Sequence, residues 1–433
     1  MTSSKVTETV VLRGGTVADL APPRLREADV VIDGGRIASI GEPVPEGATS
    51  IDCSGCLVMP GLVCGHGHLY SALATGMPAP SSPPTCFTEI LERVWWRLDE
   101  VLDEPSLRAS ALVGALGAVR CGTTTIIDHH ASPSFIDGSL DVIADALDEV
   151  GLRSVLCYEV TDRGGAERRD AGIRENDRFL GRDLPFARGL VGGHASFTMS
   201  DETLAGCVDV ARRHGSGLHV HLAEDAADQR DSMERYGLRV AHRLARAEAL
   251  GPRTLLVHGV HLDETERALV SEAPCWIAHN PRSNMNNSVG YADPLGLSER
   301  VILGTDGIGA DMFAESQHAF FRARERRLSA DAAQVLSWLT RGADLVSELF
   351  GVPVGKLEVG AAGDVMVLEA PLPTPLSEGS LPWHWMFGFS SRLVRDVLMG
   401  GRVVVRDRVV MTVDEAAILA EAHEQARALW SRL

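Results

Sequence analysis

Apolar runs in this chain repeatedly end in a side chain able to hold a metal ion, at positions far apart in the sequence. Leu62-Val63-Cys64 leads to His66 and His68, and Gly217-Leu218 leads into His219 and His221. Leu255-Leu256-Val257 closes on His258, Trp276-Ile277-Ala278 on His279, and Ile302-Leu303-Gly304-Thr305 on Asp306. Each run has the length and apolar content of a buried strand. Strands that all carry a functional side chain at the C-terminal end are parallel strands gathered at one mouth. Runs ending at Asp128, Tyr158 and His194 bring the number to eight, each followed by helix-capable sequence. Eight such units over about 250–300 residues are the pattern of a (β/α)8 TIM barrel, an α/β fold.

The flanks read differently. Asp29-Val30-Val31-Ile32-Asp33-Gly34-Gly35-Arg36-Ile37 is a β-hairpin with a Gly-Gly turn, and Val397 to Val405 repeats it around Gly400-Gly401. Gly363 to Leu368 is a further strand, and residues 371–385, rich in Pro, Ser and Trp, read as a loop. The expected organisation is therefore a small composite β-sandwich formed from both chain ends. Residues 1–58 supply its N-terminal half, 59–358 the barrel, and 359–433 its C-terminal half plus a terminal helix.

With 433 residues, 45% hydrophobic and 23% charged, the chain has an ordinary globular composition. Its net charge of −18 argues against nucleic acid and anionic membrane as partners. Neither a signal peptide nor a membrane span is recognisable. Eight cysteines, mostly in or beside apolar runs, suit buried free thiols in a reducing cytoplasm. The lone pair Cys53-x-x-Cys56 reads as structural.

His66 and His68, two apart, face the same way on a strand and can share one ion. One of His219 and His221 is a second candidate, the other orienting it or packing. Asp306 adds a carboxylate. Imidazoles with one carboxylate suit a divalent transition metal: zinc first, with iron or manganese as alternatives. The only lysines are Lys5 and Lys356, so a lysine-bridged metal pair is excluded and one ion per chain is expected. Glu224, three residues beyond His221, is the candidate proton shuttle. His258 is the next candidate, holding the attacking hydroxide or polarising the substrate. His194 and His279 are expected to bind substrate or the groups that support the ligands. His129, His130 and Glu159 also fall at strand ends where they would line a pocket, and Trp95 would cap a flat ligand.

These residues resemble those of the amidohydrolase superfamily, in the branch containing guanine deaminase, adenosylhomocysteine/methylthioadenosine deaminases and the triazine hydrolases. The likeness spans nearly the whole chain. It rests on Pro60-Gly61…His66-Gly67-His68, His221-Leu222-Ala223-Glu224, His258-Gly259-Val260-His261, His279-Asn280-Pro281-Arg282-Ser283-Asn284 and Gly304-Thr305-Asp306-Gly307. More narrowly, Trp95-Trp96-Arg97-Leu98-Asp99, Ile127 to Pro133 and Asp311-Met312-Phe313 resemble the SsnA subgroup of aminohydrolases. The resemblance implies His66, His68, His221 and Asp306 as metal ligands. It makes Glu224 and His258 the acid/base pair, Asp306 an acceptor of the water's proton, and His194 a substrate contact. It also implies a homodimer. Gly65 and Gly67 stand where relatives carry Thr, a departure expected to loosen the first-strand loop without removing a ligand. The expected reaction is hydrolytic deamination of an amino-substituted nitrogen heterocycle, purine- or pterin-like. Hydrolysis of a cyclic amide, C–Cl or C–NHR bond is the enzymatic alternative, and a catalytically silent binding protein the alternative of another class.

Overall fold

The computed structural model of the chain describes residues 9–433; Lys5 and the polar start of the chain lie outside them. Its centre is two arcs of parallel strands. The first contains Leu62–Gly67, Thr123–His130, Arg153–Tyr158 and the short Ala187–Gly189. The second runs through Val191–Ala195, Leu218–Leu222, Leu255–His258, Trp276–His279 and Val301–Leu303. Ladder pairing is continuous within each arc. Between arcs it reduces to isolated bridges, Val160 to Gly193 on one side and Gly67 to Asp306 on the other.

Side-chain alternation gives the arcs two faces. Leu218, Val220 and Leu222 join the large core shared with the surrounding helices, as do Ile126, Leu156, Leu256 and Ile277. The opposite parity, with Val63, Ile127, Val155, Val257 and Ile302, forms a separate cluster to which both arcs contribute. His219 and His221 share that second parity, so both imidazoles project inward. Helices follow the strands as expected. Ser139–Val150 ends on Gly151 in the left-handed conformation, and Glu104–Arg120 starts at Asp103 with a capping box.

Two further sheets stand apart from the arcs. Residues 10–13, 30–33, 36–40 and 49–52 make a four-stranded sheet, with the 30–33/36–40 hairpin turning at Gly34-Gly35. A seven-stranded sheet mixes the two ends of the chain: Val365–Leu368 pairs antiparallel with Leu57–Pro60. The ends thus do not contribute one half each, since strands 16–20, 23–27 and 57–60 sit in the same sheet as the C-terminal strands. Both sheets share an apolar cluster that includes Leu12, Ile32, Val58 and Val365. The stretch expected to be a loop contains a helix, Leu381–Phe387, with Pro382 in its first turn, where a missing N–H costs nothing.

Candidate active site

Each of the three candidate histidine ligands has its second ring nitrogen already engaged. His68 Nδ1 lies 2.6 Å from the His129 carbonyl and His221 Nδ1 2.8 Å from the His194 carbonyl. A carbonyl only accepts, so both rings carry hydrogen on Nδ1 and turn Nε2 toward the cluster. His66 Nδ1 is 2.8 Å from Nε2 of His219, which is itself 3.4 Å from the Cys157 thiol through Nδ1. His219 therefore orients His66, and His221 is the member of the pair that meets the cluster. His66 Nε2 is buried without a hydrogen-bond partner. It stands 3.4 Å from Asp306 Oδ1, and His68 Nε2 3.0 Å from the same oxygen.

The donor atoms of His66, His68, His221 and Asp306 all lie within 4.8 Å of one another. Ligands around a tetrahedral ion at ~2.0–2.1 Å stand about 3.3 Å apart, so the set has the dimensions of a cation site. Its electrostatics divide the rings. Burial pushes His66 down to about 3 and holds His221 well below the ordinary histidine range. Burial opposes the charge on His68 as well, but the hydrogen bond and charge of Asp306 outweigh it and raise that ring to about 9. Burial would raise Asp306 too, yet the two imidazoles hold it well below its usual value.

A second constellation shares Asp306. His258 Nε2 is 3.4 Å from Glu224 Oε2 and 3.7 Å from Asp306 Oδ2. Burial raises the Glu224 carboxyl to about 7, His258 opposing and Asp306 adding to the rise. His258 Nδ1 is 2.7 Å from the Asn284 amide oxygen, which fixes that hydrogen and turns Nε2 toward the carboxylates. The backbone bends sharply here: His258 and Asp306 have φ of 75° and 56°, a left-handed conformation costly for side chains of this size and typical of functional sites.

These groups open on a cavity of about 180 Å³. Trp95, His194 and Glu159 line it. His194 is lowered to about 4 by burial, and its Nδ1 is 2.7 Å from the Thr198 hydroxyl. His129, His130 and His279 are elsewhere. His129 packs between the rings of His219 and His221, with Nδ1 3.3 Å from Glu159 Oε2. His130 is bonded to the Ser132 hydroxyl, and His279 is buried against Tyr291 and Trp338. A strand end marks the depth of a side chain, and its direction depends on parity and twist. Gly65 corrects another expectation. A Cβ there would stand 2.8 Å from the Leu303 carbonyl oxygen, so the glycine permits close strand approach and the segment is tight rather than loose.

Sequence reasoning missed the residues that hold these groups. The short helix Pro281–Asn286 and the residue after it place Ser283 against Asp306 Oδ2, Asn284 against His258, and Asn287 Nδ2 3.2 Å from Glu224 Oε1. Ser283 and Asn284 stood inside a quoted motif with no role, and polar residues at a helix start ordinarily read as capping.

Residues 57–404 match the amidohydrolase family. A 5'-deoxyadenosine deaminase of Methanosarcina mazei is 29% identical over 98% of this chain and 99% of its own. A 5-methylthioadenosine/S-adenosylhomocysteine deaminase of Shouchella clausii is 28% identical over 92% and 94%. Among solved structures, an adenosine deaminase from Xanthomonas campestris with bound zinc has a TM-score of 0.82 at 22% identity, covering 98% of this chain and 99% of that one. Atrazine chlorohydrolase TrzN from Arthrobacter aurescens TC1, complexed with zinc, has a TM-score of 0.82 at 21% identity, covering 96% and 100%. The last two establish a shared fold, and the family match extends over most of the sequence: this chain belongs to the amidohydrolase family.

Proposed function

We propose that this protein is a metal-dependent hydrolase that releases ammonia from an amino-substituted nitrogen heterocycle, purine- or pterin-like. The observation that carries the reading is Glu224, a buried carboxyl held near neutrality, beside His258 and Asp306 at the edge of a cation-sized donor set. Relatives that cover the chain end to end are named as deaminases of adenosine derivatives. His66, His68, His221 and Asp306 hold one divalent transition metal, zinc in the first instance. Such an ion supplies the acidity that brings a water's pKa toward ~7.

The chain's own residues do the rest. Asp306 accepts the proton of the attacking water. Glu224 gives its proton to the ring nitrogen and regains one from the second O–H of the added water, while Asp306 returns the first to the departing amine, a task that suits a pKa near the working pH. His258, its Nδ1 hydrogen held by Asn284, turns Nε2 toward the reacting centre. His194, Glu159 and Trp95 contact the substrate from the cavity wall. The two arcs act as the halves of a (β/α)8 barrel, spanning about residues 59–358 and flanked by a sandwich of the two outer sheets. We further place the protein in the cytoplasm, in keeping with eight unpaired cysteines, and as a homodimer. The exposed neighbours Phe321, Trp383 and Phe387 offer an apolar face for a second copy.

Glu224→Gln tests the reading, assayed by ammonia release from a panel of aminated heterocycles. The amide keeps size and cannot carry the proton. We expect kcat to fall about 10²–10⁴-fold with metal content and folding unchanged. Retained activity removes Glu224 as the shuttle, and loss of metal makes it a ligand instead.

A further inference from the structure

Although the chain carries a net charge of −18, a second cavity has no carboxylate in its wall. It measures about 140 Å³ and is lined by Arg182, Arg188, Arg253 and His214, with Phe179 and Leu349 among its apolar side chains. It lies at the N-terminal ends of the parallel strands. Arg188 is within Ala187–Gly189, and Arg253 shortly precedes Leu255–His258. The metal-type ligands and His258 sit at the opposite ends of these strands, so the two cavities are on opposite faces.

Two of the four cations are partly answered. Asp141 Oδ2 accepts from Arg182 at 2.9 Å but also from Arg178 at 2.8 Å. Asp177 Oδ1 is 2.6 Å from His214 Nε2 but also accepts from Arg213 at 2.8 Å. The other two meet only carbonyls. Arg188 Nη1 donates to the Leu184 and Ala187 oxygens at 2.5 and 2.7 Å, and Arg253 Nη1 to that of Gly215 at 2.6 Å. Among the described residues no carboxylate pairs with either, and their Nε and Nη2 donors have no hydrogen-bond partner. Arginines near a helix end ordinarily cap its last carbonyls. Gly215 does end the helix Asp201–His214, yet that use takes one nitrogen of Arg253. The carbonyls held by Arg188 lie outside any helix. Arg188 is also fixed in place, its guanidinium 4.6 Å over the Phe350 ring.

A guanidinium fork matches the paired oxygens of a phosphate, and a dianion answers two unpaired cations at once. We propose that this cavity is a binding site for an organic phosphomonoester. Arg188 and Arg253 hold its phosphate, and Phe179 and Leu349 pack against its organic group. Arg182 and His214 add positive field at the rim. The site stands whatever reaction the metal centre performs.

Calorimetric titration of the metal-loaded protein with phenyl phosphate, inorganic phosphate and phenol tests it. We expect phenyl phosphate to bind with a Kd below roughly 1 mM, inorganic phosphate about 10-fold more weakly, and phenol not measurably. Arg253→Gln changes an exposed residue and should cost about 10–100-fold in affinity, at unchanged metal content and melting temperature. Arg188→Gln should lose as much. Absence of phenyl phosphate binding at roughly 5 mM overturns the proposal. So does binding that survives Arg253→Gln and Arg188→Gln, which would put the anion at the metal centre. Equal affinities for phenyl phosphate and inorganic phosphate overturn the ester and leave the free ion as the ligand. Phenol binding as tightly as phenyl phosphate overturns the role of the arginines.

Discussion

A histidine that touches no substrate can still decide whether an ion is held. His219 is fully buried, with its two nitrogens spent on His66 and Cys157. Its contact with His66 Nδ1 keeps the hydrogen there and the Nε2 lone pair on the donor set. Partners that orient a ligand in this way are typically worth about 10–100-fold in metal affinity. His219→Ala should weaken zinc binding by that factor in a chelator competition, with a native circular dichroism spectrum. Unchanged affinity would make His219 packing alone. Spacing alone placed His219 and His221 at the same strand end and left open which one was the ligand; the family resemblance selected His221. Their spacing of two settles that both face inward, while depth along the strand separates ligand from orienter, and depth is a tertiary property.

Whole elements do similar work. The helix Pro281–Asn286 is short, yet with Asn287 it holds Asp306, His258 and Glu224 from three different loops. The strand Leu62–Gly67 approaches the last strand closely enough that a Cβ on Gly65 meets both Ile302 and the Leu303 carbonyl. A side chain can swing aside, but a ladder carbonyl cannot, and Asp306 lies three residues further on. Gly65→Ala should cost roughly 1–3 kcal/mol of stability, read from thermal or denaturant unfolding, and weaken metal retention with it. A neutral substitution would show that this approach has slack. Elements with strong periodicity and tight turns were legible in advance: the hairpins at Gly34-Gly35 and Gly400-Gly401 and the strands ending in histidine. The helix Leu381–Phe387 was not, because Pro and Ser at its start read equally well as loop chemistry.

At the scale of the whole molecule, the outer sheets and the central arcs are tied by specific chemistry. Arg153, on the third parallel strand, makes a two-pronged buried pair with Asp364 at 2.9 and 3.0 Å. Asp364 Oδ1 also accepts the Gly400 N–H at 2.7 Å. A chain beginning at Met59 would remove Leu57 and Val58 from beside Val365–Leu368, delete the strands at 16–20 and 23–27 beyond them, and uncover the apolar cluster at Val365, Val367 and Leu398. Exposed strand edges pair with one another. We expect that truncation to be insoluble, and a soluble, fully active form would refute the coupling of the ends. The composition of two chain ends indicated that they fold together, but not that one sheet is wholly N-terminal while the other is mixed. Pairing between Pro60 and Val365 has a further cost in time. On a ribosome adding ~5–20 residues per second, the strand at 57–60 waits roughly 15–60 s for its partner to be made. Throughout that interval the nascent chain carries an open edge, so slower translation of the central region lengthens its exposure to misassembly and its dependence on chaperones.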